Sequence, residues 1–155
     1  MSKVDKKALE LGVPLKRPPV PPGRYVTAMV IDGYCRSAGH LPLREGSLSH
    51  VGPVAGSVSM EEAADSVRVA TGNCVASIHA VIGSLSQVEQ VLALFGYVNA
   101  VSGFVEHHLV TNAASEFLLE LFGDTVGRHV RTSVGVAGLP LNAPLEIAVE
   151  CRIRL

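Results

Sequence analysis

The sequence predicts an α+β fold: a mixed β-sheet with two α-helices packed on one face. Two observations favour it. Two long segments place apolar residues at helical spacing, and shorter strand-like apolar segments lie before, between and after them. The resulting order, β-β-α-β-α-β-β, is typical of a layer of helices against a layer of strands. At 155 residues, we expect a single domain with a sizeable apolar core.

The first 23 residues are predicted to form an N-terminal arm ahead of the domain, which spans residues 24–155. Residues 4–11 could form one or two helical turns. Pro14 to Gly23 is rich in proline, which lacks a backbone N–H and so excludes helix and interior strand. We interpret this segment as an extended surface spacer; a polyproline ligand for a partner protein is the alternative.

The first two strands are predicted as a hairpin, from Tyr25 to Ile31 and from Tyr34 to Ala38. The Asp32-Gly33 pair between them is typical of a tight turn that needs positive φ angles. Leu41 to Ser57 is rich in glycine, serine and proline. We predict a loop there, which could include a short strand near Val51.

The first long helix is predicted over residues 60–82. Ser59 and Glu62 have the spacing of a capping box at its start, and Gly83 is a natural stop at its end. A central strand follows from Val88 to Val98, since this stretch is rich in β-forming residues and poor in charge. The second helix is predicted from Phe104 to Phe122, with Gly123 ending it.

The last part of the chain is predicted as a second hairpin, with strands from Val130 to Ala137 and from Leu145 to Ile153. Side chains alternate between the two faces of a strand, so Arg131 lies among small neighbours and Glu146 lies opposite an apolar face. On adjacent strands, these two side chains could frame a ligand's anionic end and its proton chemistry. An ion pair of Arg131 with Glu146 or Glu150 across the hairpin is the alternative.

The composition argues against several classes of protein. Apolar residues make up 48% of the chain, yet no stretch approaches the roughly 18 apolar residues of a membrane span. The net charge of -1 and the low aromatic content argue against a nucleic-acid partner. The N-terminus lacks the features of a signal peptide, so we expect a cytoplasmic protein with no membrane partner. Because no third helix is left to cover the sheet's open face, we also expect self-association.

The cysteines and histidines do not form the pattern of a metal site. Cys35, Cys74 and Cys151 are odd in number and have no CxxC spacing, so buried, reduced side chains are expected. His107 and His108 are adjacent, whereas a metal-binding pair on a helix lies four residues apart. We therefore predict no metal site.

The run from Arg131 to Ile147, RTSVGVAGLPLNAPLEI, resembles the C-terminal signature of the Rid (YjgF) family of reactive-intermediate imine deaminases. The spacing from Arg131 to Pro140 and to Glu146 is kept without a gap. The resemblance implies a chorismate-mutase-like fold, a homotrimer with ligand clefts between subunits, and no metal or organic cofactor. The N-terminal arm and the longer loop are typical of a divergent branch of that family.

The resemblance also assigns further site residues. Tyr25 corresponds to the family's early tyrosine near the ligand, and Asn112 corresponds to an asparagine in the second helix. Gly39 and His40 lie in the loop AGHLP, which corresponds to the family's S-G-Q-[IL]-P loop, with Ala38 in place of serine.

Ser133 stands where many active members of the family carry cysteine. By resemblance, Arg131 would hold the carboxylate of a small 2-imino or 2-enamino acid as a bidentate fork. Glu146 would position a water and transfer protons, and backbone groups near Gly39 and Ser133 would complete the site. Ammonia and a 2-oxo acid would be released. A non-catalytic trimer that binds small carboxylates, as a sensor or regulator, is the alternative.

Overall fold

Five strands form the main sheet in the computed structural model, which describes residues 1–154. The helices and strands are α1 (Lys3–Glu10), β1 (Ala28–Ile31), β2 (Tyr34–Ser37), β3 (Leu43–Arg44), β4 (Ser47–Leu48), α2 (Met60–Ile82), β5 (Val88–Asn99), α3 (His107–Val126), β6 (Val130–Val136) and β7 (Leu145–Ile153). Short 3-10 turns follow α2 at Leu85–Gln87 and precede β7 at Pro140–Asn142. The predicted α+β fold is confirmed, with β3 and β4 as a small separate hairpin.

The strands of the main sheet lie in the order β1-β2-β7-β5-β6. β5 pairs in parallel with β6 and antiparallel with β7, so the prediction of a mixed sheet is confirmed. The predicted terminal hairpin is wrong, because β5 lies between β6 and β7. The unit β5-α3-β6 is a crossover connection that brings two parallel strands side by side. The connection from β6 to β7 then crosses the end of β5.

Helices α2 and α3 pack on one face of this sheet, as predicted. The apolar face of β7, with Leu145, Ile147 and Val149, is buried beneath them, and Phe117 and Leu118 of α3 are also fully buried. At Gly96 of β5, a Cβ atom would overlap the side chain of Thr111 in α3. The glycine therefore allows α3 to approach the middle of the sheet closely.

The predicted signals at the ends of α2 are confirmed. Ser59 Oγ accepts a hydrogen bond from the backbone N of Glu62, and a Glu62 carboxylate oxygen accepts one from the backbone N of Ser59, each at 3.1 Å. Gly83 follows the helix with φ 82°. The Asp32-Gly33 turn likewise has φ angles of 50° and 79°, as a tight hairpin turn requires.

Several predicted boundaries differ from the structure. Strand β1 begins at Ala28 rather than Tyr25. Helix α3 begins at His107 rather than Phe104, and Gly123 interrupts it with φ 83° and ψ 167° before one further turn to Val126. No strand forms near Val51; instead, β3 and β4 pair on either side of a Glu45-Gly46 turn in which both φ angles are positive. The turn residues are local signals, and they define a hairpin where we predicted loop.

The N-terminal helix α1 docks onto the turn after α2 through a buried carboxylate. Asp5 accepts hydrogen bonds from the backbone N of Leu85 (2.8 Å), from Ser84 Oγ (2.9 Å) and from the backbone N of Ser2 (2.9 Å). Burial acts to raise the pKa of Asp5, but these hydrogen bonds outweigh it and lower the pKa to about 2. Within residues 1–154, none of the helices has the length and apolar character needed to cross a membrane.

Candidate functional site

Four predicted site residues line one cleft, which we call the β7 cleft. It has a volume of about 840 Å³ and is lined by Tyr25, Gly39, His40 and Glu146. The proline-rich segment Pro14–Pro22 forms a second wall of the same cleft, and the β3–β4 hairpin contributes to it as well. The segment that we predicted as a surface spacer therefore lines the cleft of the candidate site.

Glu146 lies directly against the backbone at Gly39. A Cβ atom at Gly39 would come within 2.8 Å of Glu146 Cδ and 3.0 Å of its Oε1, which is closer than real Cβ atoms approach. The glycine is therefore required for this position of the carboxylate. Glu146 is half-buried, and burial raises its pKa. A raised pKa brings proton exchange at this carboxylate closer to neutral pH.

His40 is joined to β7 by two backbone hydrogen bonds. Its N donates to Ile147 O at 2.7 Å, and its O accepts from Ile147 N at 3.0 Å. Its side chain is buried, and Nε2 has no hydrogen-bond partner among residues 1–154. Burial lowers the pKa of His40, while a backbone group of Thr27 acts in the opposite direction. The imidazole is therefore neutral at neutral pH, so His40 adds no positive charge to the cleft.

Asn73 of α2 was missed by sequence reasoning, and it holds the loop that follows His40. Its Nδ2 donates to Leu41 O at 3.1 Å and to Leu43 O at 2.9 Å. The neighbouring Cys74 donates to Ile147 O at 3.1 Å, and burial raises the pKa of its thiol to about 12. Cys74 is therefore a protonated thiol that supports β7, and no thiolate nucleophile lies beneath the cleft.

The other three predicted site residues form a second group, which we call the α3 cluster: Arg131, Asn112 and Ser133, with the α3 groups around them. Arg131 Nη1 donates to Asn112 Oδ1 at 2.9 Å and to Ser115 Oγ at 3.2 Å, and Nη2 donates to His108 O at 3.1 Å. Three contacts thus hold the guanidinium in one orientation. The alternative of an ion pair with Glu146 or Glu150 is wrong.

Ser133 and His129 complete this cluster. Ser133 Oγ and Thr111 Oγ1 lie 2.5 Å apart, which ties β6 to α3. His129 Nδ1 lies 2.6 Å from Gly127 O, so this nitrogen carries the proton and donates it. His129 Nε2, 2.9 Å from Ser115 Oγ, is then the acceptor of the serine's proton.

Ser115 therefore donates to His129 and accepts from Arg131. Sequence reasoning missed both Ser115 and His129. The residues are 14 positions apart, and no local pattern marks them as partners.

The β7 cleft and the α3 cluster are separate in one chain. Arg131 is paired with Leu94 of β5, and Glu146 is paired with Tyr97 of the same strand. Two strand spacings and three residues of rise separate the Cα atoms of Arg131 and Glu146 by roughly 14 Å. Arg131 contacts α3, whereas Glu146 alternates with residues buried against the helices and so lies on the opposite face. The expectation of adjacent strands framing one ligand is wrong within one chain.

The fold agrees with the comparisons to known proteins. A family model described as "YjgF/chorismate mutase-like, putative endoribonuclease" matches residues 9–149. The chain therefore belongs to the YjgF family. Proteins of this family are typically trimers.

Three relatives cover most of the chain. Protein TCP17 of Trypanosoma cruzi is 32% identical over 137 residues, which is 88% of this chain and 86% of that protein. The crystal structure of Atu1372, a protein with unknown function from Agrobacterium tumefaciens, is 33% identical, with a TM-score of 0.87 over 97% of this chain and 92% of that one. A putative endoribonuclease from Shewanella oneidensis is 25% identical, with a TM-score of 0.90 over 98% and 100%.

Proposed function

We propose that this protein is a hydrolytic deaminase of small 2-imino or 2-enamino carboxylates, which releases ammonia and a 2-oxo acid. One observation carries the proposal: the chain holds two half-sites of complementary chemistry. The α3 cluster offers an oriented guanidinium. The β7 cleft offers a carboxylate whose pKa is raised by burial. Because the two are separate in one chain, a complete site needs two copies.

The open face of the sheet supports such an assembly. It exposes large apolar side chains on both edge regions; Val130 is 73% exposed, Ile31 60% and Met29 54%. Apolar surface of this kind is stabilised when a second copy covers it. We propose a homotrimer in which Arg131 of one subunit faces the β7 cleft of the next. The trimeric state of relatives in the family supports this arrangement.

Arg131 is suited to hold the carboxylate of the substrate. A guanidinium has five N–H groups, and three of those of Arg131 are already donated to Asn112, Ser115 and His108. One N–H on Nε and one on Nη2 remain, and we propose that they donate to the carboxylate of the substrate.

Glu146 is proposed as the catalytic residue that moves protons. The carboxylate accepts a proton from a water as the water oxygen bonds to the carbon of a protonated imine, and a carbinolamine forms. Glu146 then returns the proton to nitrogen. As the C–N bond breaks and the C=O bond of the 2-oxo acid forms, the hydroxyl proton of the carbinolamine passes to Glu146, and the departing ammonia takes up that proton to leave as ammonium. Protonated imine and water are thereby converted to 2-oxo acid and ammonium. Because imines hydrolyse readily, positioning of the water supplies much of the acceleration.

The alternative is a trimer that binds small carboxylates without turnover. Ala38 lacks the hydroxyl that would help to orient water or substrate, and the hydroxyl of Ser133 is already bonded to Thr111. Such a protein would bind 2-oxo acids through Arg131 and be stabilised by them against heat.

Imine hydrolysis tests the proposal directly. An amino-acid oxidase generates the imino acid in place, and semicarbazide competes with the protein for it. We expect the protein to suppress semicarbazone formation, and Arg131→Ala to remove this effect. Arg128→Ala is the matched control, because Arg128 is an exposed neighbour outside the α3 cluster.

The other outcomes of the assay separate the candidates. Heat stabilisation by 2-oxo acids without suppression over a range of amino acids would favour the non-catalytic trimer and contradict the deaminase. The Shewanella oneidensis relative is described as a putative endoribonuclease, so cleavage of a synthetic RNA by the same preparation is measured alongside. RNA cleavage that persists in Arg131→Ala would place that activity outside the proposed site.

A further inference from the structure

We propose that the β7 cleft binds a ligand with a second anionic group, which Arg17 and Arg44 hold away from the reacting carbon. The inference rests on the proposed function and narrows its substrate class to imino or enamino acids with two anionic groups, such as dicarboxylates. It starts from two arginines that line the cleft and that the proposed chemistry does not use. They come from two separate segments, the proline-rich segment and the β3–β4 hairpin.

Arg17 is presented by an anchored segment. Val13 and Leu15 on its N-terminal side are buried in the core, and the backbone N of Arg17 donates to Pro14 O at 3.1 Å. The prolines that follow restrict the backbone to few conformations. A guanidinium carried on a wall of this kind binds a ligand at a small cost in backbone entropy.

Arg44 is carried by a hairpin that is held in place. Asn73 of α2 bonds to the carbonyls of Leu41 and Leu43, immediately before Arg44. The turn that follows contains Glu45, which also lines the cleft. The hydrogen bonds from Asn73 therefore keep the hairpin, and with it Arg44, at the wall of the cleft.

The cleft offers two guanidinium groups to an anionic group of the ligand. The charged residues that line the cleft are Arg17, Arg44, Glu45 and Glu146. In the part of the chain that the structure describes, neither Arg17 nor Arg44 forms an ion pair, whereas Arg36, Arg68 and Arg152 each pair with a glutamate. Two guanidinium groups that face a cleft without a carboxylate partner are suited to a carboxylate brought by the ligand.

The size of the cleft also favours a larger ligand. The volume of the cleft is about 840 Å³. Pockets that bind drug-sized ligands have volumes of roughly 300–1,000 Å³, and such ligands are much larger than a three-carbon imino acid. Prolines and Tyr25 supply apolar lining along the way. A ligand that spans from Glu146 to the arginines would fill more of this volume than a small monocarboxylate would.

Binding of two matched 2-oxo acids tests the inference. 2-Oxoglutarate and 2-oxopentanoate have the same five-carbon chain and differ in a terminal carboxylate or methyl group. By calorimetry, we expect wild type to bind 2-oxoglutarate roughly tenfold more tightly, the gain typical of one charge-assisted contact. Arg17→Gln should remove most of this preference and leave the affinity for 2-oxopentanoate unchanged, and Arg17→Gln with Arg44→Gln should remove all of it.

Lys16→Gln is the matched control. Lys16 is the adjacent cation, it is exposed, and it does not line the cleft, so this variant should keep the wild-type preference. Arg17 and Arg44 are also exposed, so their substitution should not affect folding, and thermal melting checks this. Equal affinity of wild type for the two acids, or binding of neither, would overturn the inference.

The same variants separate this inference from the proposed function. If Arg17→Gln weakens both acids equally, Arg17 holds the carboxylate that the two share, and the second anionic subsite is rejected. A preference for 2-oxoglutarate without any imine hydrolysis would support the subsite and contradict the deaminase. Imine hydrolysis without such a preference would support the deaminase and reject the subsite.

Discussion

The α3 cluster and the β7 cleft differ in how many of their polar groups have a hydrogen-bond partner within the chain. In the α3 cluster, Arg131 donates three hydrogen bonds, and one of its acceptors, Ser115, is also hydrogen-bonded to His129. In the β7 cleft, His40 Nε2 has no partner among the described residues, and burial opposes the charge of Glu146.

A group held in one orientation is suited to bind, because little entropy is lost when the ligand arrives. A carboxylate whose pKa is raised by burial, as that of Glu146 is, exchanges protons more readily toward neutral pH. We therefore propose that substrate binding and proton transfer are carried by different parts of the chain. Four predictions follow this division, beginning with the largest effect.

Mixing two inactive variants should restore activity if the halves meet between subunits. Arg131→Ala and Glu146→Gln should each abolish imine hydrolysis. After co-refolding at an equal ratio, a site between two subunits needs Arg131 from one and Glu146 from the other. It is intact when the first subunit is the Glu146→Gln variant and the second is the Arg131→Ala variant. Each of these choices has a chance of one half, so about one quarter of wild-type activity should return in a cyclic trimer.

The measurement is imine hydrolysis after co-refolding, compared with each variant refolded alone. Arg131→Ala mixed with the double variant should stay inactive, since no copy of intact Arg131 is present. Full inactivity of the first mixture, with mixed trimers demonstrated by mass, would mean that the two halves do not share a site.

Gly39→Ala should damage the β7 cleft without affecting the fold. The added Cβ would come within 2.8 Å of Glu146 Cδ, and the flexible glutamate would be displaced. Since a displacement of about 1 Å can reduce turnover up to roughly a hundredfold, we expect kcat to fall by about 10- to 100-fold. Gly138→Ala is the control, because a Cβ there meets nothing within 4 Å. An unchanged kcat in Gly39→Ala would remove Glu146 from the proposed chemistry.

Helix α1 precedes the proline-rich segment that lines the β7 cleft. The docking of α1 should depend on pH through the carboxyl group of Asp5. The pKa of Asp5 is about 2 in the folded state against an ordinary value of 3.8, so its contribution is present above pH 4 and is lost as the pH falls through about 2. This difference amounts to about 2 kcal/mol. Urea unfolding between pH 2 and pH 7 should show the loss in wild type, and the Asp5→Asn variant should lack that part of it.

The smallest effect is expected at Ser115, which orients Arg131 without contacting the ligand. Ser115→Ala removes the hydrogen bonds of Ser115 to Arg131 and to His129. The one from Arg131 is worth about 1 kcal/mol, so KM should rise roughly three- to tenfold while kcat changes less. Ser102→Ala, in the exposed loop before α3, should leave both constants unchanged. A fall in kcat at constant KM would contradict a positioning role through carboxylate binding.

Much of the fold could be predicted because its signals are local. Ser59 and Glu62 mark the start of α2, Gly83 marks its end, and Asp32-Gly33 marks the turn between β1 and β2. Each signal lies within a few residues of the structure that it specifies. The family could be predicted for the same reason, since the motif from which it was inferred is a continuous stretch of the chain, and the family is confirmed.

The arrangement of the strands and of the site was decided by the tertiary structure. An alternating strand has the same pattern whichever strand lies beside it, so the sequence of β6 and β7 could not show that β5 separates them. The same insertion assigns Arg131 to the α3 cluster and Glu146 to the β7 cleft. His129 becomes a neighbour of Ser115 only when the chain folds. The proline-rich segment likewise comes to line the same cleft as Glu146 only in the folded chain. Which elements and which chemical groups exist could be predicted from local patterns. Which of them meet depends on packing, because strand pairing and side-chain contacts join distant residues.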